Sequence, residues 1–299
     1  MPAVAFDEYL ASVHTVKGWL SDSTAILSHA LMEHQTSLGI TGNACEIGVH
    51  HGRYFIALAL GLSGNERGVA IDLFEAQAEN VDRSGKGNRA IFEQNIARFL
   101  DPQTITAIQG NSLKLSAADI LALGCIRFFS VDGSHTSAAT LNDIRLAEAS
   151  LADGGIVAVD DVLSVLWTGV ISGVSDYLHD RPGLRPFAIV PNKLLLCHPK
   201  NSAGYRDFLR ASFPGAIQRG DAEFMGSIVD VYADVITRTE PALQAAQRPA
   251  PEARSSGKPR KPESAKIARL EGELTALKAS RRYKFGALVA RLARLGRHS

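Results

Sequence analysis

Two apolar runs end in acids that could hold one ligand between them. Phe128-Phe129-Ser130-Val131 leads into Asp132-Gly133-Ser134-His135, and Ile156-Val157-Ala158-Val159 leads into Asp160-Asp161. Both runs have the length and the β-branched or aromatic character of a buried strand. In open α/β sheets ligands bind beyond the carboxyl ends of the strands, so Asp132, Asp160 and Asp161 should face one cleft. Neighbouring strands lie about 4.8 Å apart, close enough for acids at their tips to share a hard cation. Without a cation such carboxylates would repel one another. The expected metal site is therefore Asp132, Asp160 and Asp161, with Mg2+ the expected ion and water or substrate oxygens completing its shell. Successive strand residues point to opposite faces, so Asp160 and Asp161 serve one ion only if the chain turns there; otherwise one of them caps the next helix. His135 stands where it can take a proton from a hydroxyl near the metal, or simply cap or pack the start of a helix.

A second constellation lies upstream. The strand-like Cys45-Glu46-Ile47 runs into Gly48 and, four residues on, Gly52, and residues 53–60 then have helical character. The glycines permit a tight turn and close backbone approach, and the helix start offers unpaired N–H groups, so this is a nucleotide-type site. It lacks G-x-G, the pattern that lets a pyrophosphate lie on bare backbone. Glu46 would repel a pyrophosphate and attract a cationic ligand. Asp72 ends the next apolar run and can hold ribose hydroxyls. Glu46, Gly48, Gly52 and Asp72 together resemble the S-adenosylmethionine site of class I methyltransferases. In that family the first acid lies near the methionine part and the second binds ribose.

The resemblance narrows with Val131-Asp132-Gly133-Ser134-His135, Asp143, Leu151-Ala152-Asp153-Gly154-Gly155 and Asp160-Asp161. These are similar to the D-G-x-H, L-x-x-G-G and D-D pattern of metal-dependent sugar O-methyltransferases, which act on macrolide and aminocoumarin sugars and have relatives among surface-polysaccharide genes. The likeness covers about residues 35 to 200. It implies S-adenosylmethionine as methyl donor, a sugar or glycan acceptor, Asp132, Asp160 and Asp161 as metal ligands, and Asp132 or His135 as the base. It also implies that Asn111 and Ser112 contact adenine or its ribose. A cephalosporin-hydroxylase-like relative is a competing enzyme reading, and an adaptor in polysaccharide assembly is a non-catalytic one. S-adenosylhomocysteine among the products would separate the first from methyl transfer.

These residues need a sheet to position them. Strand-like runs at 44–49, 68–73, 104–109, 126–131, 155–159, 187–190 and 194–197 alternate with helical stretches, which predicts a doubly wound, mostly parallel seven-stranded Rossmann-like α/β sheet. Tyr9, Leu10, Val13, Val16, Trp19 and Leu20 recur at helical spacings, so helices precede the first strand and are expected to cap the cleft. Residues 74–88 form a long, polar, glycine-rich connection, either a lid or substrate loop or a plain solvated link. Trp167, Asn192 and Lys193 follow later strands and are candidates for an acceptor pocket.

The chain has 299 residues, 45% of them hydrophobic, and a net charge of +1 that conceals an asymmetry: from Lys258 onward it is strongly basic, and the preceding body is acidic. An acidic body argues against nucleic acid as substrate, because phosphate contacts dominate that affinity. Residues 1–240 read as the catalytic domain, 241–263 as a Pro-rich flexible linker, and 264–299 as an amphipathic helical tail. The mixed-charge part of the tail suits helix pairing, and its basic end, 281–299, suits an anionic membrane surface. Ala279-Ser280-Arg281-Arg282-Tyr283-Lys284-Phe285 also resembles a terminal motif of bacterial polysaccharide-assembly proteins. A homo-oligomer is left open. Cys45, Cys125 and Cys197 are widely spaced in apolar runs and suit reduced core packing, which favours the cytosol, with the tail allowing peripheral attachment at the inner face of the membrane.

Overall fold

A computed structural model describes residues 4–180 and 182–235. The linker at 241–263 and the tail at 264–299 lie outside the described residues. The sheet is built from β1 (Asn43–Ile47), β2 (Gly68–Asp72), β3 (Ile105–Gln109), β4 (Ile126–Val131), β5 (Leu151–Asp160), β6 (Arg185–Val190), β7 (Lys193–Cys197), β8 (Ile217–Phe224) and β9 (Ser227–Tyr232). Its order is β3-β2-β1-β4-β5-β7-β6-β9-β8. Strands β1 to β5 pair in parallel, and β7 runs antiparallel between β5 and β6.

All seven expected strands are present; the central ones, β1, β4, β5 and β7, are largely apolar runs buried on both faces, which are stable between two layers of helices, while edge strand β3 is only half-buried. Alternation assigns the layers. Ala44, Phe128, Ile156 and Ala158 pack on one face with α1 (Phe6–Ser12), α2 (Asp22–Ser37), α3 (Arg53–Ala59), α4 (Arg89–Phe99) and α8 (Pro199–Ser212). Their neighbours Cys45, Phe129, Val157 and Val159 pack on the other with α5 (Ala117–Leu121), α6 (Ser137–Ser150) and α7 (Thr168–His179). Phe128 and Phe129 are both fully buried, on opposite faces. Each contributes about 1.5–3 kcal/mol of burial.

The sheet has nine strands rather than seven. The added pair, β8 and β9, turns at Met225-Gly226, both with positive φ (48° and 76°), the backbone of a tight two-residue hairpin. β8 is mostly exposed, so it carries no apolar run to announce it. Asp230 of β9 anchors the pair: its fully buried carboxylate accepts from Arg206 and Arg210 of α8. The N-terminal helices differ from expectation. Tyr9, Leu10, Val13 and Val16 are buried in the sheet's first core, and of the six residues that suggested a cap only Trp19 reaches the cleft mouth. Cys125 is exposed, whereas Cys45 and Cys197 are buried, and all are free thiols. β4 also carries a fully buried charge, Arg127, which pairs with Glu66 at 2.7 Å and donates to the carbonyls of Met32 and Gly61.

Candidate active site

The carboxyl ends of β1, β2, β4 and β5 open into one cavity of about 420 Å3. Gly48, Asp72, Asn111, Ser112, Asp132, His135, Asp160 and Asp161 all line it, whereas Glu46 and Gly52 do not.

Gly48 follows β1 where that strand meets β4. A Cβ there would lie 1.8 Å from the Asp132 carbonyl oxygen, and φ is +87°, so only glycine fits. Gly52 caps α3 in a left-handed conformation, and a Cβ on it would touch Phe92, so its role is to let helix and core pack. Glu46 is 1% exposed, accepts from Ser130 Oγ at 3.0 Å, and is pushed up to about 8 by burial despite the nearby Lys193 ammonium. Glu46 is thus a buried side chain beneath the turn, bonded to Ser130 and outside the cavity lining, where the sequence suggested an acid facing the ligand. Asp72 accepts from the backbone N–H of His50 at 2.7 Å and of Phe74 at 2.6 Å. A carboxylate offers about four lone-pair sites, so both oxygens keep capacity for a further hydroxyl. Asn111 accepts from Leu113 N–H at 3.0 Å and donates to Glu79 at 3.1 Å, while Ser112 is buried at the cavity wall.

Across the cavity the acids divide. Asp161 has φ +58°, so the chain does turn at the end of β5 and the two acids no longer alternate across the sheet. Asp160 Oδ2 meets Lys193 Nζ at 2.5 Å, with both side chains nearly inaccessible, and its Oδ1 accepts from Asn192 Nδ2 at 2.6 Å. The register Asp160↔Lys193 of antiparallel β5 and β7 creates this pair. Burial works against the Lys193 charge, but Asp160 and Asp132 outweigh it and hold the lysine protonated, and its ammonium also lies 4.3 Å over the Tyr54 ring. Asp132, Asp161 and His135 instead form a group whose ligand atoms all lie within 4.8 Å of one another. The group differs from the expected trio at one position: His135 stands with Asp132 and Asp161, while Asp160 pairs with Lys193.

His135 Nε2 lies 3.3 Å from Asp161 Oδ2 and 3.9 Å from Asp132 Oδ1, and its ring stacks on Trp167 at 4.2 Å. Burial disfavours its charge, yet Asp161 and Asp82 prevail and hold the imidazole above its ordinary value. Burial and the neighbouring Asp160 hold the Asp132 carboxyl well above the usual range. Two acids and an imidazole crowded in this way are the arrangement a divalent cation relieves. The 74–88 loop, which the sequence leaves open as a lid or a plain link, lines the cavity through Gln77, Asn80, Val81, Ser84 and Gly85, and its Glu79 pairs with Lys114 at 2.7 Å. Asp82, at the His135 side, had no local signal marking it.

Residues 45–162 match the family model described as a methyltransferase domain. The matched segment resembles a class I methyltransferase domain. Its match runs from β1 past Asp161 and so contains every cavity acid named above. The β3-β2-β1-β4-β5-β7-β6 core with an antiparallel β7 is the fold of that class. Among solved structures, the O-methyltransferase NovP is 13% identical, with 59% of this chain and 80% of NovP covered at a TM-score of 0.50. An O-methyltransferase from Bacillus cereus, solved with SAH, is 17% identical over 64% of this chain and 88% of its own, at a TM-score of 0.46. CalS11, a TDP-rhamnose 3'-O-methyltransferase of calicheamicin biosynthesis, is 19% identical over 64% and 85%, at 0.44. At these identities the likeness is one of fold. No protein of curated function matches the sequence. Among the described residues, no helix is long and apolar enough to cross a membrane.

Proposed function

We propose that the methyltransferase domain transfers the methyl group of S-adenosylmethionine to a sugar hydroxyl of a glycan or glycosylated metabolite, with a divalent cation beside the acceptor. The observation that carries this reading is the placement of Asp132, His135 and Asp161 in the same cavity as Gly48, Asp72, Asn111 and Ser112. One set suits a nucleoside with a cationic methionine end, and the other suits an oxygen acceptor. Asp72 is the group to hold ribose hydroxyls, and the bare backbone at Gly48 lets the donor approach between β1 and β4.

The donor set fits a cation, and its chemistry narrows which one. Mg2+ takes oxygen ligands, while two carboxylates and an imidazole nitrogen suit Mn2+, Fe2+ or Zn2+ better. Bound there, such an ion would lower the pKa of a hydroxyl placed against it. Asp132, Asp161 and His135 would hold it. The second oxygen of the Asp132 carboxylate is the group to take the hydroxyl proton as the carbon–oxygen bond forms. In the same step the carbon–sulfur bond breaks, and the sulfonium leaves as a neutral thioether. Alignment of oxygen, methyl carbon and sulfur is the domain's main contribution.

The test is to incubate the full chain with S-adenosylmethionine and glycosides differing in their free hydroxyls, measuring S-adenosylhomocysteine and methylated product with and without a chelator. Product that forms and vanishes on chelation, returning with Mn2+, is expected. S-adenosylhomocysteine formation that chelation leaves unchanged would remove the cation from the mechanism.

A further inference from the structure

His135 has two ring nitrogens, and the cation site uses only Nε2. Nδ1 points away from that site, to Asp82 Oδ2 at 2.8 Å, and the His135 backbone N–H donates to the same oxygen at 2.6 Å. Asp82 lies 53 residues upstream, in the loop between β2 and α4. Its other oxygen, Oδ1, accepts from the Ser84 N–H at 2.9 Å and the Ser84 hydroxyl at 2.7 Å. Asn80 Nδ2 braces the same turn by donating to the Ser84 carbonyl at 2.6 Å. The carboxylate is therefore fixed at both oxygens, and its side chain is 9% exposed. The loop is fixed on the donor side as well, where a Cβ on Gly87 would meet Asp72 Oδ1 at 2.5 Å.

A carboxylate paired with Nδ1 has a defined effect on an imidazole. It keeps a proton on Nδ1, leaves the lone pair on Nε2, and sets the rotation of the ring. Trp167, stacked at 19° to the ring plane, limits tipping out of that plane. The ring is thus held from its far nitrogen and from one face, and both constraints aim Nε2 at Asp132 and Asp161.

We propose that Asp82 is a positioning residue, orienting His135 so that docking of the 74–88 loop completes the cation site. This rests on the cation reading above and deepens it. One loop then sets two things together: Gly87 packs against the ribose-side acid Asp72, and Asp82 aims a metal ligand. The donor half and the acceptor half of the cavity are assembled by the same segment.

The full-length protein, freed of metal with chelator, is titrated calorimetrically with Mn2+ in the absence of donor and acceptor, as wild type, Asp82→Asn and Asp82→Ala. Circular dichroism and melting curves check the fold, and Asp82→Asn, which keeps shape while losing charge, covers a failure of Asp82→Ala to fold. The expected result is Mn2+ affinity about 10–100-fold weaker in the Asp82 variants, the range typical of lost outer carboxylate partners. Turnover should return as Mn2+ is raised, a rescue that a merely structural defect would not show. Wild type that binds Mn2+ together with Asp82 variants that bind it equally well overturns the positioning role and leaves the cation site standing. Wild type that binds neither Mn2+ nor Mg2+ overturns the cation site and this proposal with it.

Discussion

Replacing Asp160 by alanine should lower stability while sparing cation binding, and replacing the adjacent Asp161 by asparagine should do the reverse. Asp160 and Lys193 meet at 2.5 Å with side-chain exposures of 9% and 3%. Removing one partner of such a buried pair costs about 3–5 kcal/mol, because the other charge stays desolvated. Asp132 and Glu46 also lie near the Lys193 ammonium and recover part of the attraction, which places Asp160→Ala near the lower limit, about 3 kcal/mol. In a domain of 150–250 residues each kcal/mol moves Tm by about 2–4 °C, so the expected drop is about 6–12 °C. Asp161 is different. It is 19% exposed, and asparagine tolerates its left-handed backbone, so Asp161→Asn should change Tm little. It removes a charged ligand, and Mn2+ affinity should fall by about tenfold or more.

The assay is a melting curve and a Mn2+ titration on the same preparations. Lys193→Met added to Asp160→Ala should restore part of the lost stability, since the unpaired ammonium is then gone. Loss of Mn2+ binding in Asp160→Ala with normal binding in Asp161→Asn would refute the division of roles, and would return Asp160 to the ligand set despite its contact with Lys193.

Gly48→Ala should weaken S-adenosylhomocysteine binding measured by calorimetry, because the left-handed backbone alone costs about 1–2 kcal/mol and the new methyl must displace the Asp132 carbonyl; unchanged affinity would mean the donor does not lie at this turn. Asp230→Ala should destabilise the β8–β9 edge by about 1.5–3 kcal/mol in thermal unfolding, since Arg206 and Arg210 both lose their buried partner but keep Asp221. Burial opposes ionisation of Asp230, yet the arginines hold its carboxyl well below the ordinary value. Its contribution is therefore complete above the unfolded carboxylate value of about 4 and lost as pH falls toward the depressed native one, so the Tm gap between wild type and variant should narrow progressively below about pH 4. A gap unchanged down to pH 2 would contradict the pairing. Glu66→Ala should cost about 3–5 kcal/mol through the stranded Arg127 guanidinium; a melting curve like wild type would show that the Met32 and Gly61 carbonyls suffice.

What the sequence made legible was local. Seven strands were readable because each is a short, mostly apolar run between turn residues, and two helical layers are the environment in which the central runs are stable. The placement of Asp72, Asp132 and Asp161 at strand tips followed from the same runs, because a polar residue ending a buried strand has nowhere to go but the carboxyl edge. β8 and β9 escaped because β8 is polar and its Met225-Gly226 turn lacks the usual Asn-Gly signature. The division between Asp160 and Asp161 was posed by strand alternation but could not be answered by it. The answer depends on a positive φ at Asp161 and on Lys193, 33 residues downstream, arriving opposite Asp160 through antiparallel pairing. Asp82 follows the same logic, since its effect depends on a histidine 53 residues away. So does Glu46: pairing of β1 with β4 sets it on Ser130 and out of the cavity lining, and that partner is 84 residues away in sequence. A strand-tip acid announces that it will face a cleft, and its partner from another strand or loop decides whether it binds a ligand, a proton or a lysine.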